Sequence, residues 1–347
     1  MKRASLVALL LLVLIGRSSG QRASPRGELS IYFIDVEGGQ STLIVAPTGE
    51  SMLVDAGYAD DDRDPRRILA AARDAGIRQI DTLLVTHFHA DHDGGVPEVA
   101  RQLPIKQFLD DGDILRTPDA QADRDWLLTL ARYNAYVAAR GDKAHIEPQP
   151  GSMMTVGAAN VTFVSHDGST IKTPLPAGGQ ATDGCPAAPP EMQEKNENAR
   201  SNGFVLQFGR FRFLDIGDLV GAPLYSIVCP RSLIGPVDVY LVSHHGGVDS
   251  SYPATFAAFR PRVAIVNNGE AKGGAPEVFD TIRHAAGLDG AWQLHASKLP
   301  GVVNLARNQI ANLDTTTSHW IKVSAREDGS FHVINARTGA TQTFASK

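Results

Sequence analysis

Apolar and polar positions alternate in short blocks along most of this chain. Residues 30–34 read as a strand, and 41–45 with 51–54 read as a hairpin around Pro47-Thr48-Gly49, closed by Asp55-Ala56-Gly57. Residues 64–75 open on Asp-Pro and place Ile68, Leu69 and Ala72 at helical spacing, so they predict a helix that Gly76 stops. A strand at 81–86, an amphipathic helix over 122–140 and a strand at 161–164 follow. Residues 168–200 are rich in Gly, Pro, Asn and Glu, and a loop of that length inside a compact domain is usually functional or flexible. Beyond it come strands at 204–208, 211–216, 237–242 and 262–266, helical stretches near 253–259 and 276–286, and a hairpin over about 319–335 around Asp328-Gly329. There is no internal repeat and no low-complexity tract. The alternation predicts a mixed α/β fold in one domain, residues 29–347.

Four of these strands end in polar clusters. The strand at 81–86 runs into Thr86-His87-Phe88-His89-Ala90-Asp91-His92, and that at 211–216 into Gly217-Asp218. The strand at 237–242 runs into Ser243-His244-His245-Gly246, and that at 262–266 into Asn267-Asn268-Gly269. Ligand sites of α/β sheets form at the carboxyl ends of strands, so the four ends predict a single site.

The first cluster holds three of the chain's 11 histidines and a carboxylate. Neutral imidazole and carboxylate are the ligands of zinc and similar borderline cations; the competing reading is a solvated polar loop. On an extended segment His87 and His89 point the same way and can grip one ion, while Asp91 and His92 face a second. Two ions 3.5–4 Å apart need a shared carboxylate, and Asp218 is the candidate, although Gly-Asp also marks simple turns. Of His244 and His245, one would bind the second ion and the other face the substrate. Asp55 and Asp35 read as hydrogen-bonding supports of the metal-bearing loops. Asp93 could cap a helix starting near Gly95, Lys272 reads as a solvated loop residue or an anion contact, and His295 and His319, with no nearby partner, read as structural. No phosphate-cradling Gly-rich loop is evident.

Together, His87-x-His89-x-Asp91-His92, Gly217-Asp218 and Ser243-His244-His245-Gly246 resemble the metallo-β-lactamase superfamily. Ile34-Asp35-Val36-Glu37-Gly38-Gly39-Gln40 and Leu53-Val54-Asp55-Ala56-Gly57 make it most similar to the hydrolase domain of DNA-internalisation competence proteins, over roughly residues 29–270. The resemblance implies an αββα sandwich with the metals at one edge of its two sheets. It implies zinc, two ions, with Mn or Fe as alternatives, and His87, His89, Asp91, His92, Asp218, His244 and His245 as the metal residues. It also implies a metal-bound hydroxide that Asp91 orients, with His245 or His244 stabilising the charge that develops. Many members supply a further His some 20–30 residues before the bridging Asp; here that region reads Asn196-Glu197-Asn198-Ala199-Arg200-Ser201-Asn202. Competence-type domains similarly carry Asn or Ser there. His166 is an outside candidate, and water or Asn198 could complete the first site. The membrane-channel portion of competence proteins has no counterpart in this sequence.

Lys2 and Arg3 precede an unbroken apolar run from Leu6 to Ile15 and then Gly16-Arg17-Ser18-Ser19-Gly20, the pattern of a cleaved signal peptide over residues 1–20, followed by a disordered leader over 21–28. The apolar run is too short for a bilayer span, which takes about 20 residues. Cleavage removes three basic residues and no acid, leaving 30 basic against 38 acidic side chains, a net charge of −8. That balance disfavours long nucleic acid, which is held by releasing counterions from phosphates. In an exported chain the two cysteines, Cys185 and Cys229, can pair. The sequence therefore predicts an exported (periplasmic or secreted) metallo-hydrolase acting on a small or short phosphodiester. A carboxylic ester, lactone or β-lactam is the alternative substrate, and a non-catalytic metal- or ligand-binding scaffold the alternative class.

Overall fold

Two mixed sheets stack face to face, and each covers its outer face with helices. The computed structural model describes residues 27–115, 124–188 and 196–347. The signal-peptide segment and most of the leader lie outside the described residues. Among the described residues no helix is long and apolar enough to cross a membrane.

The first sheet runs in the order Thr341–Phe344, Phe331–Asn335, Ile321–Ala325, Leu29–Phe33, Thr42–Val45, Ser51–Val54, Ile80–Leu84, Ile105–Leu109, Ala144–Ile146. Its first half is antiparallel, and from Ser51–Val54 onward its strands are parallel. Parallel neighbours need crossover connections. Helices Arg63–Asp74, Val96–Gln102 and Arg124–Arg140 lie in those connections. The second sheet runs Ile310–Asn312, Gly290–His295, Val263–Val266, Val239–Leu241, Phe211–Asp215, Gly203–Phe208, Ala159–His166, Met153–Val156, with Ser169–Thr170 beside the seventh. Helices Gly221–Val228, Pro253–Phe259 and Pro276–His284 cover its outer face.

Strand alternation shows why both faces are filled. In Leu29–Phe33, Leu29, Ile31 and Phe33 enter the core between the sheets, while Tyr32 enters the core under the helices. Phe33 meets Phe213 of the opposite sheet edge to face, with ring centroids 5.7 Å apart. The αββα sandwich is thus the observed architecture, and the expected strands and helices lie within a few residues of their predicted bounds.

Several elements carried too little period to be read. Strands Ile105–Leu109, Ala144–Ile146, Met153–Val156, Gly290–His295, Ile310–Asn312 and Thr341–Phe344, with the helix Gly221–Val228, are additions. They extend the sandwich well past residue 270. Cys185 and Cys229 form a disulfide, with Cα atoms 5.8 Å apart. It ties the 168–200 excursion to the end of helix Gly221–Val228.

Candidate metal centre

The parallel strand Ile80–Leu84 delivers Thr86-His87-Phe88-His89 at its carboxyl end, and a single helical turn, Ala90–Asp93, follows with His89 as its extended N-cap. Phe88 points into the core, so the imidazoles on either side turn the other way. Asp218 follows the strand Phe211–Asp215 after Gly217, whose φ is +52° and where a Cβ would stand 2.9 Å from Thr86 Cβ. Opposing strand ends thereby meet across the sandwich. His244 and His245 both adopt left-handed backbone, φ 52° and 53°, at a bend after Val239–Leu241. That conformation is costly for a residue with a Cβ and turns consecutive rings apart.

Asp91, His92, Asp218 and His245 form one buried group whose ligand atoms all lie within 4.8 Å of one another. His245 Nε2 is 3.1 Å from Asp91 Oδ2 and 3.2 Å from Asp218 Oδ2, and His92 Nε2 is 3.3 Å and 3.2 Å from the same two oxygens. His87 Nε2 and His89 Nδ1 face each other at 3.0 Å, and His87 Nε2 stands 3.9 Å from Asp218 Oδ2. One carboxylate oxygen of Asp218 therefore faces both imidazole sets, as a shared ligand must.

His244 stands apart. It is a quarter exposed, its Nδ1 is 2.8 Å from Asp249 Oδ1, and its Nε2 is 3.3 Å from Asn198 Nδ2 and 3.8 Å from Asp218 Oδ2. The two adjacent histidines thus divide, with His245 among the ligand-type atoms and His244 at the mouth.

Electrostatics follow from this crowding. Burial works against a charged His92, but the carboxylates of Asp218, Asp91 and Asp55 outweigh it and hold the ring well above the ordinary imidazole range. Burial likewise opposes ionisation of Asp218, which His245 and His92 overcome. Burial holds His87 well below its usual range, and it brings His89 down to about 4. His87 and His89 are therefore neutral at pH 7 and offer lone pairs.

The donor set fits a borderline divalent cation. Asp218 Oδ1 and both ring nitrogens of His245 are buried with no hydrogen-bond partner, although His245 Nε2 sits within 3.2 Å of two carboxylate oxygens. Buried polar atoms left unpaired are costly, and a cation among them removes that cost.

The supporting residues are partly those expected. Asp55 Oδ2 is 2.7 Å from His92 Nδ1 and accepts from Thr86 Oγ1 at 2.7 Å, while Thr86 N donates to Asp55 Oδ1. Asp35 instead pairs with Arg67 at 2.8 Å and His295 at 3.1 Å, so its support is indirect, through the loop that ends where Gln40 N donates to Asp91 O. His295 has partners after all, lying between Asp35 and Glu37. Asp93 caps no helix; its carboxylate takes Arg132 Nε at 2.7 Å and ties the helical turn to Arg124–Arg140. His166 is outside the group, 2.9 Å from Asn202 Oδ1. Asn198 reaches the site through its amide, with Oδ1 buried and unpartnered. Lys272 is no free loop residue: its Nζ contacts Asp91 Oδ2 and donates to Tyr58 Oη at 3.2 Å. Tyr58, Gln40 and Asp215, whose carboxylate accepts from Gln40 Nε2 at 3.1 Å, were missed; only the motif that carries Gln40 hinted at any of them.

Residues 34–181 match the family model described as Metallo-beta-lactamase superfamily. Among solved structures it is similar to the metallo-beta-lactamase fold protein YhfI from Bacillus subtilis, at 12% identity over 85% of this chain and 99% of that one, TM-score 0.43. It is similar to CmlA, a diiron beta-hydroxylase from Streptomyces venezuelae, at 15% identity over 77% and 53%, TM-score 0.42. It is also similar to Igni18, a metallo hydrolase from the archaeon Ignicoccus hospitalis, at 12% identity over 77% and 95%, TM-score 0.40. No curated protein matches. The fold is the metallo-β-lactamase fold.

Proposed function

We propose that this chain is an exported, dinuclear, zinc-dependent hydrolase of a small or short phosphodiester. The observation that carries the reading is the buried group of Asp91, His92, Asp218 and His245, with His87 and His89 on the far side of the same Asp218 oxygen. One ion would be held by His87, His89 and Asp218, and the other by Asp91, His92, His245 and Asp218. When bound, divalent cations acidify a water and polarise the bond it attacks.

The chain's own residues supply the rest. Asp91, within the buried group, would orient the attacking water. Asp55 fixes the His92 ring through Nδ1 and leaves Nε2 facing Asp91 and Asp218. His244, linked to Asp249, would stabilise negative charge on the reacting group. The phosphodiester preference rests on the competence-type motifs, and the mature charge of −8 favours small substrates over long polymers. Export rests on the amino-terminal pattern, and the disulfide suits an oxidising compartment.

The test is a hydrolysis panel on zinc- or manganese-loaded protein, comparing a phosphodiester, a carboxylic ester, a lactone and a β-lactam, with Asp91→Ala alongside. The phosphodiester should turn over fastest, and Asp91→Ala should lose about 100-fold or more. No turnover of any substrate, or Asp91→Ala matching the wild type, would leave the non-catalytic scaffold as the better reading.

A further inference from the structure

Lys272 is placed by backbone. Gly269 N donates to Lys272 O at 2.8 Å, closing a tight turn, and Gly274 N and Ala275 N donate to His245 O and Gly246 O at 2.7 and 3.0 Å. Gly273, at φ +70°, lies so close to the His245 bend that a Cβ there would stand 2.3 Å from His245 O. On its other side the turn presses on the loop at Gly38, where a Cβ would meet Gly269 N at 2.9 Å and Lys272 Cβ at 3.0 Å. The turn is thus stitched to the strand end that carries His245, and its ammonium cannot wander as a surface lysine does.

Its head group bridges Asp91 Oδ2 and Tyr58 Oη, with Nζ 5.5 Å from the centre of the Tyr58 ring, and 41% of its side chain remains exposed. Burial and the neighbouring Asp91 carboxylate push the phenol's pKa up, so Tyr58 stays a hydroxyl at neutral pH. Tyr58 also lines a cleft of about 540 Å³ with Ala90, Arg63, Arg132, Glu37 and Asp60, space in which the rest of a substrate can lie.

We propose that Lys272 and Tyr58 form an oxyanion clamp beside Asp91, so that the centre selects substrates carrying a phosphate-type anion over neutral ones. This rests on the metal-centre reading above. Counting each imidazole as the neutral ligand that a bound cation requires, Asp55, Asp91 and Asp218 against Lys272 sum to a formal charge of −2. Two divalent ions would reverse it to +2 and take up the charge of Asp91 that Lys272 now balances. A lysine fixed beside cations, with part of its side chain open to solvent, then offers its positive charge to an incoming anion.

The experiment is calorimetric titration of zinc-loaded protein with inorganic phosphate, with acetate as the carboxylate comparison and zinc content measured on the same samples. Lys272→Met should keep its zinc and bind phosphate at least about tenfold more weakly. Lys272→Arg should recover most of the affinity, and Tyr58→Phe should show a smaller loss. Wild-type protein should prefer phosphate to acetate. The clamp is refuted if Lys272→Met binds phosphate as the wild type does, if wild-type protein binds no phosphate, or if saturating zinc restores the affinity of Lys272→Met. If no ester is hydrolysed yet phosphate binding depends on Lys272, the hydrolase reading fails and the clamp stands.

Discussion

Asp55 Oδ2 lies 2.7 Å from His92 Nδ1, on the side of the ring away from Asp91 and Asp218. Both residues are fully buried, and Thr86 holds the carboxylate with its amide and its hydroxyl. Outer partners of this kind set the tautomer and aim of a ligand histidine. Asp55→Asn should therefore weaken metal binding by about 10- to 100-fold while leaving the fold intact. Competition with a chromophoric chelator measures this, and unchanged affinity would remove Asp55 from the account.

His295 ties stability to pH. Burial disfavours its charged form, but Asp35 and Glu37 overcome that and bring its pKa up to about 9, from an ordinary 6.5. The folded chain then binds the proton more tightly than the unfolded one. The stabilisation is complete below pH 6.5 and is lost as pH rises through 9, amounting to about 3 kcal/mol at most. Denaturant midpoints from pH 6 to 10 should fall for the wild type and stay flatter for His295→Gln.

Gly273 holds the Lys272 turn against the His245 bend. Gly273→Ala meets both the left-handed backbone and the 2.3 Å approach to His245 O. It should destabilise the protein by about 1–3 kcal/mol, read as a lower melting temperature. The same change at Gly76, φ +74° with open space around it, should cost less.

The Cys185–Cys229 disulfide closes a loop of sequence separation 44. Replacing both cysteines with serine should cost about 2–4 kcal/mol. Urea unfolding checks the size, and thiol titration of the unreduced, unfolded wild-type chain should find no free thiol.

Much of this candidate site was legible because its residues are local. His87, His89, Asp91 and His92 sit within one strand end and one helical turn, and Asp218 and His245 end strands whose apolar runs are plain. Contacts that depend on distant segments were not legible. His295 looked partnerless because Asp35 and Glu37 come from the opposite end of the chain. Lys272 reads as a loop residue until the turn at 269–272 is docked on the His245 bend. The separation of His244 from His245 likewise depends on backbone angles that sequence pattern does not encode. Short strands such as Ala144–Ile146, with all three side chains exposed, carry no apolar period at all.

Metal content is the most direct test of the account. Purified chain loaded with zinc and desalted should hold two ions by elemental mass spectrometry, and Asp218→Ala, which removes the oxygen facing both imidazole sets, should hold fewer than one. A wild-type chain that retains no zinc, manganese or iron, or an Asp218→Ala variant that keeps both ions, would contradict it.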